Sequence, residues 1–399
     1  MKYAVWLVRL VFASWMIPAG VNHFVRLFPQ PMGSQPLSHE LIVALIDSNI
    51  FDIVKTVELL AGVLVLSSAW TPLGLLLCMP VSFCVFWWDA PLEGFGSRAA
   101  LFGYSVLACN LVLCLAFVRS YTTMFALRSL PEGSRRTLVL AGRLLFGAWM
   151  LANGLNHFVH PMWAVPAGHT AAATQLMAAF AHSGLFSVAM LIQMAGGALL
   201  ILGVFVPAAL AVMMPVSTCA LYWSVVLDGD PMLALLAIVA FATNGLLMLA
   251  HLRFYGGALE KHALTLGESR SESTFASVYA DAGARTGRGP YIAALATLLV
   301  AVWFYAHLVT GRTAMYCNLV LLIPGVLLLN GRLRDMGRSA SLLILPASLL
   351  LGAFGIWLKL LEPVGWLGHA VPGTALVVTA VFALWGCFAA PSGTRTTGT

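Results

Sequence analysis

Two stretches decide the fold. Val8–Val25 reads VRLVFASWMIPAGVNHFV and Gly142–Val159 reads GRLLFGAWMLANGLNHFV. Each is a mainly apolar run close to the about 20 residues that a transmembrane helix needs. Each has an arginine as its second residue and Gly-x-Asn-His-Phe just before its final valine. The likeness continues downstream. Glu58-Leu59-Leu60-Ala61-Gly62 faces Gln193-Met194-Ala195-Gly196-Gly197, and Met79-Pro80-Val81-Ser82 faces Met214-Pro215-Val216-Ser217. Cys84 and Trp88 answer Cys219 and Trp223, while Asn110, Arg119 and Tyr121 answer Asn244, Arg253 and Tyr255. The offset stays at 134–135 residues, so a four-span unit is duplicated in tandem. An even number of spans gives both copies the same orientation, a parallel rather than an inverted repeat.

The rest of the chain has the same character. Of 399 residues 60% are apolar and 9% charged, with a mean hydropathy of +0.92, against about 25% charged in soluble domains. The apolar content matches about twelve spans of about 20 residues. It excludes a soluble enzyme, a disordered chain and a disulfide scaffold. The long unbroken runs exclude a β-barrel, whose strands alternate. The expected fold is all-α and polytopic, with spans near 4–25, 50–69, 72–88, 99–118, 138–159, 183–203, 206–227, 232–250, 290–309, 314–330, 341–361 and 371–390. We read 1–127 and 128–256 as the two copies, 257–289 as a cytoplasmic linker and 290–399 as a divergent third four-helix unit. The first apolar run is too long for a cleavable signal peptide.

With the N-terminus inside, sixteen of the 21 basic residues fall on inner segments. Arg26, Lys55, Arg98, Arg312 and Lys359 are the outer five. This positive-inside asymmetry predicts a multi-pass inner-membrane protein with both termini cytoplasmic. It also accounts for the +6 net charge, and no basic run suggests nucleic acid. Eight of the ten histidines then lie outside, as do most carboxylates, so chemistry is expected on the outer face. The two long outer loops, 26–49 and 160–182, read as its main non-helical material. The seven cysteines lie in apolar runs without a Cys-x-x-Cys pair and read as buried free thiols.

Each repeat resembles the DoxX-like family of four-helix membrane proteins. The likeness rests on the Arg-led first helix ending in Gly20-x-Asn22-His23-Phe24 or Gly154-x-Asn156-His157-Phe158, on the Glu- or Gln-bearing second helix, and on the Thr-Pro-Leu or Val-Pro start of the third. Gly331-Arg332-Leu333-Arg334-Asp335-Met336-Gly337-Arg338-Ser339 is similar to the Arg-Leu-His-Asp-x-Gly-Arg-Ser signature of an uncharacterised membrane family, with Arg334 at the histidine position. Some DoxX-like proteins are subunits of a thiosulfate:quinone oxidoreductase. The resemblance therefore implies a four-helix fold and a membrane subunit for quinone-linked redox work, with a redox partner protein.

The ligand-binding candidates are Asn22, His23 and Glu58, with Asn156, His157 and Gln193 in the second copy. Arg9, Met16, Gly20 and His23 share one helix face, as do Arg143, Met150, Gly154 and His157. A neutral imidazole near the interface could bond a quinone carbonyl and relay a proton; alternatively Asn-His caps the helix end against the loop. Glu58 lies about two turns into its helix, where a carboxylate is costly unless paired. Lys55 is in reach for an ion pair, and Gln193 cannot titrate, so the first copy is the better candidate. His157 and His160 have a spacing that could hold a metal, but Pro161 ends the helix there and no metal site is assigned. Asp89, Glu93, Asp228 and Asp230 read as solvated loop carboxylates beside Trp88 and Trp223. Asn110 and Asn244 read as interhelical hydrogen-bond formers, and the Arg332–Arg338 cluster as contacts to anionic headgroups. Walker A, Rossmann, His-Glu-x-x-His and Gly-x-Ser-x-Gly motifs are absent. The competing expectation is a non-enzymatic protein: a solute or metal permease, or an assembly scaffold.

Overall fold

The computed structural model describes residues 2–129, 136–159, 163–266, 285–309, 311–358 and 367–391. Fourteen α-helices and no strand occur among these residues. They are α1 (Lys2–Val25), α2 (Pro36–Asp47), α3 (Ile50–Leu66), α4 (Thr71–Trp87), α5 (Arg98–Ala116), α6 (Arg136–Phe158), α7 (Ala171–His182), α8 (Leu185–Leu202), α9 (Val206–Tyr222), α10 (Pro231–Ala250), α11 (Arg288–Leu308), α12 (Gly311–Asp335), α13 (Ile344–Trp357) and α14 (Leu367–Phe388). Every expected span has its helix. Eleven are long and apolar enough to cross a bilayer, α13 together with the short turn before it. The twelfth, α3, has 17 residues, about 26 Å, slightly less than the ~30 Å hydrocarbon core. The chain is a polytopic helical membrane protein.

The duplication is repeated in hydrogen bonds. Tyr121 Oη donates to Pro72 O at 3.0 Å, and Tyr255 Oη to Pro207 O at 2.8 Å. Asn110 Nδ2 donates to Ser82 Oγ at 2.9 Å, and Asn244 Nδ2 to Ser217 Oγ at 3.3 Å; these are the interhelical bonds expected of mid-membrane amides. Trp88 Nε1 reaches Ser38 O and Trp223 Nε1 reaches Ala173 O. Trp70 and Phe205 take the same left-handed turn before α4 and α9, with φ of 51° and 50°. Glycines let the first and second spans of each copy touch. A Cβ on Gly154 would sit 2.5 Å from Met194 Cβ and 2.7 Å from Met190 O; one on Gly20 would sit 2.9 Å from Lys55 O. With no hydrophobic force between helices in lipid, such close backbone contact is what holds them together.

The two loops are not mainly irregular, as their polar residues suggested. Each contains a twelve-residue helix, α2 or α7. Pro36 stands in the first turn of α2 and Thr170 caps α7 by accepting from Ala173 N, both ordinary helix starts. Leu41 and Ala44 of α2 pack against Leu176 and Ala179 of α7. The contacts across the copies are reciprocal. Glu40 pairs with His182 Nδ1 at 2.8 Å, and Gln175 Nε2 donates to Asp47 at 3.0 Å. Trp87 Nε1 donates to Ser183 O and Tyr222 Oη to Ser48 O, both at 2.8 Å. Residues one repeat apart exchange roles, as in an isologous dimer interface. The copies therefore pack as a fused pseudo-dimer.

After α10, residues 251–266 fold back over the first copy. Lys261 O accepts from Trp70 N at 2.9 Å, Ala116 O accepts from Leu266 N at 2.8 Å, and Ala258 joins the core of the first copy. The first ten residues of the expected linker are thus docked; 267–284 lie outside the described residues. Beyond it, α11 and α12 pack on α1: Trp6 and Leu10 share a core with Tyr291, Ala294, Leu298 and Tyr305. The C-terminal helices are built onto the first copy.

The Gly331–Ser339 motif proves to be a clamp and a helix stop. Arg332 is fully buried; its Nε donates to Gly386 O at 2.8 Å, its Nη2 to Ala389 O at 2.6 Å, and its Nη1 pairs with Asp335. Arg332 thus holds the last carbonyls of α14 instead of meeting lipid headgroups, because the α14 terminus covers it. Gly337, with φ of +67°, ends α12, and Arg338 N bonds back to Leu333 O, the geometry of a glycine C-cap.

Candidate functional site

The candidate residues of the first copy come together where α1 meets α3. His23 Nε2 lies 2.5 Å from Asp52 Oδ1, and the ring packs edge-on against Phe24 and Phe51. One to two turns further along α3, Lys55 Nζ donates to Glu58 Oε2 at 2.8 Å and Oε1 at 3.1 Å. Its ammonium lies 4.8 Å from the Phe51 ring centroid. Glu58 is 2% exposed and Lys55 9%, so the ion pair considered from the spacing is present and sits inside the bundle. Arg9, at the other end of the same α1 face, donates through Nη2 to Val65 O at 2.8 Å and to Ser68 Oγ at 2.7 Å.

The second copy keeps the scaffold and loses the charges. His157 Nε2 meets the Ser187 hydroxyl at 2.9 Å where the first copy has Asp52. Met190 stands in place of Lys55 and Gln193 in place of Glu58. Gln193 is buried, and its Oε1 has no hydrogen-bond partner among the described residues. Asp52, Lys55 and Glu58 thus form a charged seam on α3 that is neutral on α8.

The asparagines serve the loops. Asn22 Oδ1 accepts from Phe28 N at 2.7 Å; Asn156 Oδ1 accepts from Trp163 N at 3.1 Å while its Nδ2 donates to Trp163 O. This is the helix-capping role, which leaves the histidine as the chemically distinctive half of each Asn-His pair. Among the described residues no group of three or more His, Cys, Asp or Glu could hold a metal. His160 lies outside the described residues. All seven cysteines are free thiols; Cys78 and Cys317 are buried, whereas Cys84 and Cys219 are exposed.

The carboxylates of the turns after α4 and α9 are structural, which composition did not reveal. Asp89 and Asp228 are buried, and Asp230 caps α10 by accepting from Leu233 N. Glu93 accepts from Ser34 N at 2.7 Å and from the Ser34 and Ser38 hydroxyls. In the second copy Asp228 accepts from His169 N at 2.5 Å and meets His169 Nδ1 at 3.0 Å. A carboxylate thus ties the start of each loop helix to the end of a span.

The second tie has an alkaline limb that the first lacks. Burial pushes the Glu93 carboxyl up, but the serine hydroxyl and backbone hydrogen bonds outweigh it and hold the group below the usual carboxylate range. Its contribution is present above the unfolded pKa and is lost as pH falls through the folded value. The Asp228 hydrogen bond raises the His169 pKa, so that contribution is present at low pH and is lost as pH rises through the folded value. Amide protection, corrected for the intrinsic pH dependence of exchange, should therefore fall around α2 in acid and around 168–171 toward alkaline pH. Glu93→Gln should flatten the acid limb alone; an unchanged acid limb in that variant would reject the assignment.

Compared with family models, curated proteins and solved structures, the chain matches none. Fold and site define its class directly: an integral, multi-pass, all-helical membrane protein in which the charged seam on α3 of the first copy is neutral on α8 of the second.

Proposed function

We propose that the chain is an inner-membrane subunit supporting quinone-linked redox chemistry at the outer face, with the first copy active and the second largely supportive. It would work with a redox partner protein. In this reading residues 1–127 and 128–256 are DoxX-like four-helix units and 290–399 a third unit. The observation that carries it is the seam on α3. A partly exposed Asp52 contacts His23, and a buried carboxylate with its lysine lies deeper on the same helix. Chains of Asp, Glu and His inside membranes serve as proton relays, and quinone reduction or oxidation at a membrane surface requires proton transfer. Here His23 would exchange a proton with a quinone oxygen, Asp52 would orient the imidazole, and Lys55 would hold the Glu58 carboxyl in place.

The test is extraction of the detergent-purified protein for quinone and metal, with His23→Ala and His157→Ala in parallel. Stoichiometric quinone that is lost in His23→Ala and kept in His157→Ala is expected. A protein without quinone, or equal purely destabilising effects of the two histidine changes, would overturn the reading. The second reading, a permease or scaffold without catalysis, is favoured by one observation: the first copy's seam residues satisfy one another. An empty, colourless protein would select it.

Orientation is tested separately. Reporters fused after Arg136, Glu272 or Arg338 should report cytoplasm, and one within 26–49 should report the outside. An external signal near Arg136 would reverse every outer-face statement.

A further inference from the structure

The helices α1, α5 and α11 enclose a cleft of about 290 Å3 at the junction between the first copy and the C-terminal helices. Junctions of this kind are where ligand sites form most often. Arg98 and His307 stand at one end, the end that also carries the 26–49 loop. Inward, Trp15 stacks on Phe102 with centroids 5.6 Å apart, and Phe304 completes an aromatic wall. Arg98 and Cys109 both line the cleft; eleven residues apart on one helix, they span about 16 Å. That is about half of the ~30 Å hydrocarbon core, the depth of one leaflet.

The order of chemistry along the cleft selects its occupant. Among the described residues Arg98, which is exposed, forms no ion pair or hydrogen bond, and no carboxylate lines the cleft. His307 Nδ1 lies 3.0 Å from Trp303 O, and its other nitrogen bonds to none of the described residues. Below them the hydroxyl groups are already used. Tyr305 Oη donates to Val11 O at 2.5 Å and accepts from Ser14 Oγ at 3.0 Å, while Ser105 Oγ donates to Leu101 O at 2.7 Å. The deep walls therefore suit a hydrocarbon chain and reject a polar head, whereas the mouth offers an unneutralised guanidinium. The corresponding helix of the second copy begins Pro231-Met232-Leu233 and has no such cation.

We propose that this cleft binds one anionic phospholipid, its phosphate on Arg98 and one acyl chain along α5 toward Cys109. Guanidinium and phosphate match in bidentate geometry, and a cleft open to the bilayer meets lipid at high concentration. The site is separate from the α1–α3 seam and does not depend on its function.

The experiment is native mass spectrometry on the delipidated full-length chain in neutral detergent, titrated with dioleoyl phosphatidylglycerol, dioleoyl phosphatidylcholine or oleate. One saturable phosphatidylglycerol adduct is expected, at least ~5-fold tighter than phosphatidylcholine, a margin set by one surface cation. Arg98→Gln should remove that preference. Ser105→Phe, placing a ring in the cleft from an exposed position, should weaken the adduct without lowering the unfolding temperature. Equal binding of the two phospholipids, or an Arg98→Gln chain that keeps its preference, would overturn the proposal. Displacement of phosphatidylglycerol by equimolar oleate would assign the cleft to a free fatty acid and overturn it as well. Arg98 lies on an exposed helix end, so its variant remains informative even if Ser105→Phe folds poorly.

Discussion

Replacing Arg332 with methionine is expected to lower the stability of the membrane-embedded chain by about 3–5 kcal/mol, the cost of removing one partner of a buried ionic contact. The guanidinium is fully buried and occupied on three sides, by Gly386 O, Ala389 O and Asp335. Methionine fills much of the volume but leaves those two carbonyls and a partly exposed carboxylate without their donor. Lysine keeps the charge, yet a single ammonium cannot serve three acceptors in the fork geometry of a guanidinium. Arg332→Lys should therefore lie between wild type and Arg332→Met. Arg334 and Arg338 are exposed neighbours, and their alanine variants should change stability by less than about 1 kcal/mol. Thermal unfolding of the purified variants in one detergent measures the order. If Arg332→Met unfolds with wild type, the clamp does not hold α14.

The parts of this architecture that were legible in the sequence follow from short-range rules. Apolar runs give spans because hydrocarbon leaves the backbone no other way to satisfy itself. The fixed offset gave the duplication. The unread parts depend on partners distant in sequence. The helices α2 and α7 were hidden because their apolar residues face each other across the copies, and each loop read alone has no reason to fold. Arg332 read as a headgroup contact because nothing nearby in sequence shows that the end of α14 covers it. His23 was legible as a distinctive residue but its partner was not, since Asp52 stands 29 residues away on another helix. Lys55 and Glu58 were legible because the pair lies within a single turn. The burial of Lys55 was not, and it changes the energetics of the pair: the lysine has too little exposure to escape to water when its partner is removed.

That change sharpens the test of the seam. Glu58→Gln alone should destabilise the chain by about 3–5 kcal/mol, because it leaves the Lys55 ammonium buried against a neutral amide. The second copy shows how the same scaffold tolerates an amide at that position: it has Met190 beside Gln193. The double variant Lys55→Met/Glu58→Gln reproduces that arrangement in the first copy and should regain most of the lost stability. Asp52→Ser, which imitates Ser187, completes the conversion at a partly exposed site and should cost little. If the seam is only structural, the triple variant will be as stable as wild type and will keep whatever ligand binding and cellular phenotype the protein has. If it carries protons, the triple variant will fold, keep its loop helices, and lose function. Gln193→Leu provides the control. Its Oε1 is buried without a donor among the described residues, so removing the amide should be neutral or stabilising and should leave function intact. A loss of function from Gln193→Leu equal to that from the first-copy conversion would show that the two copies share the work, and the proposed division between an active and a supportive copy would fall.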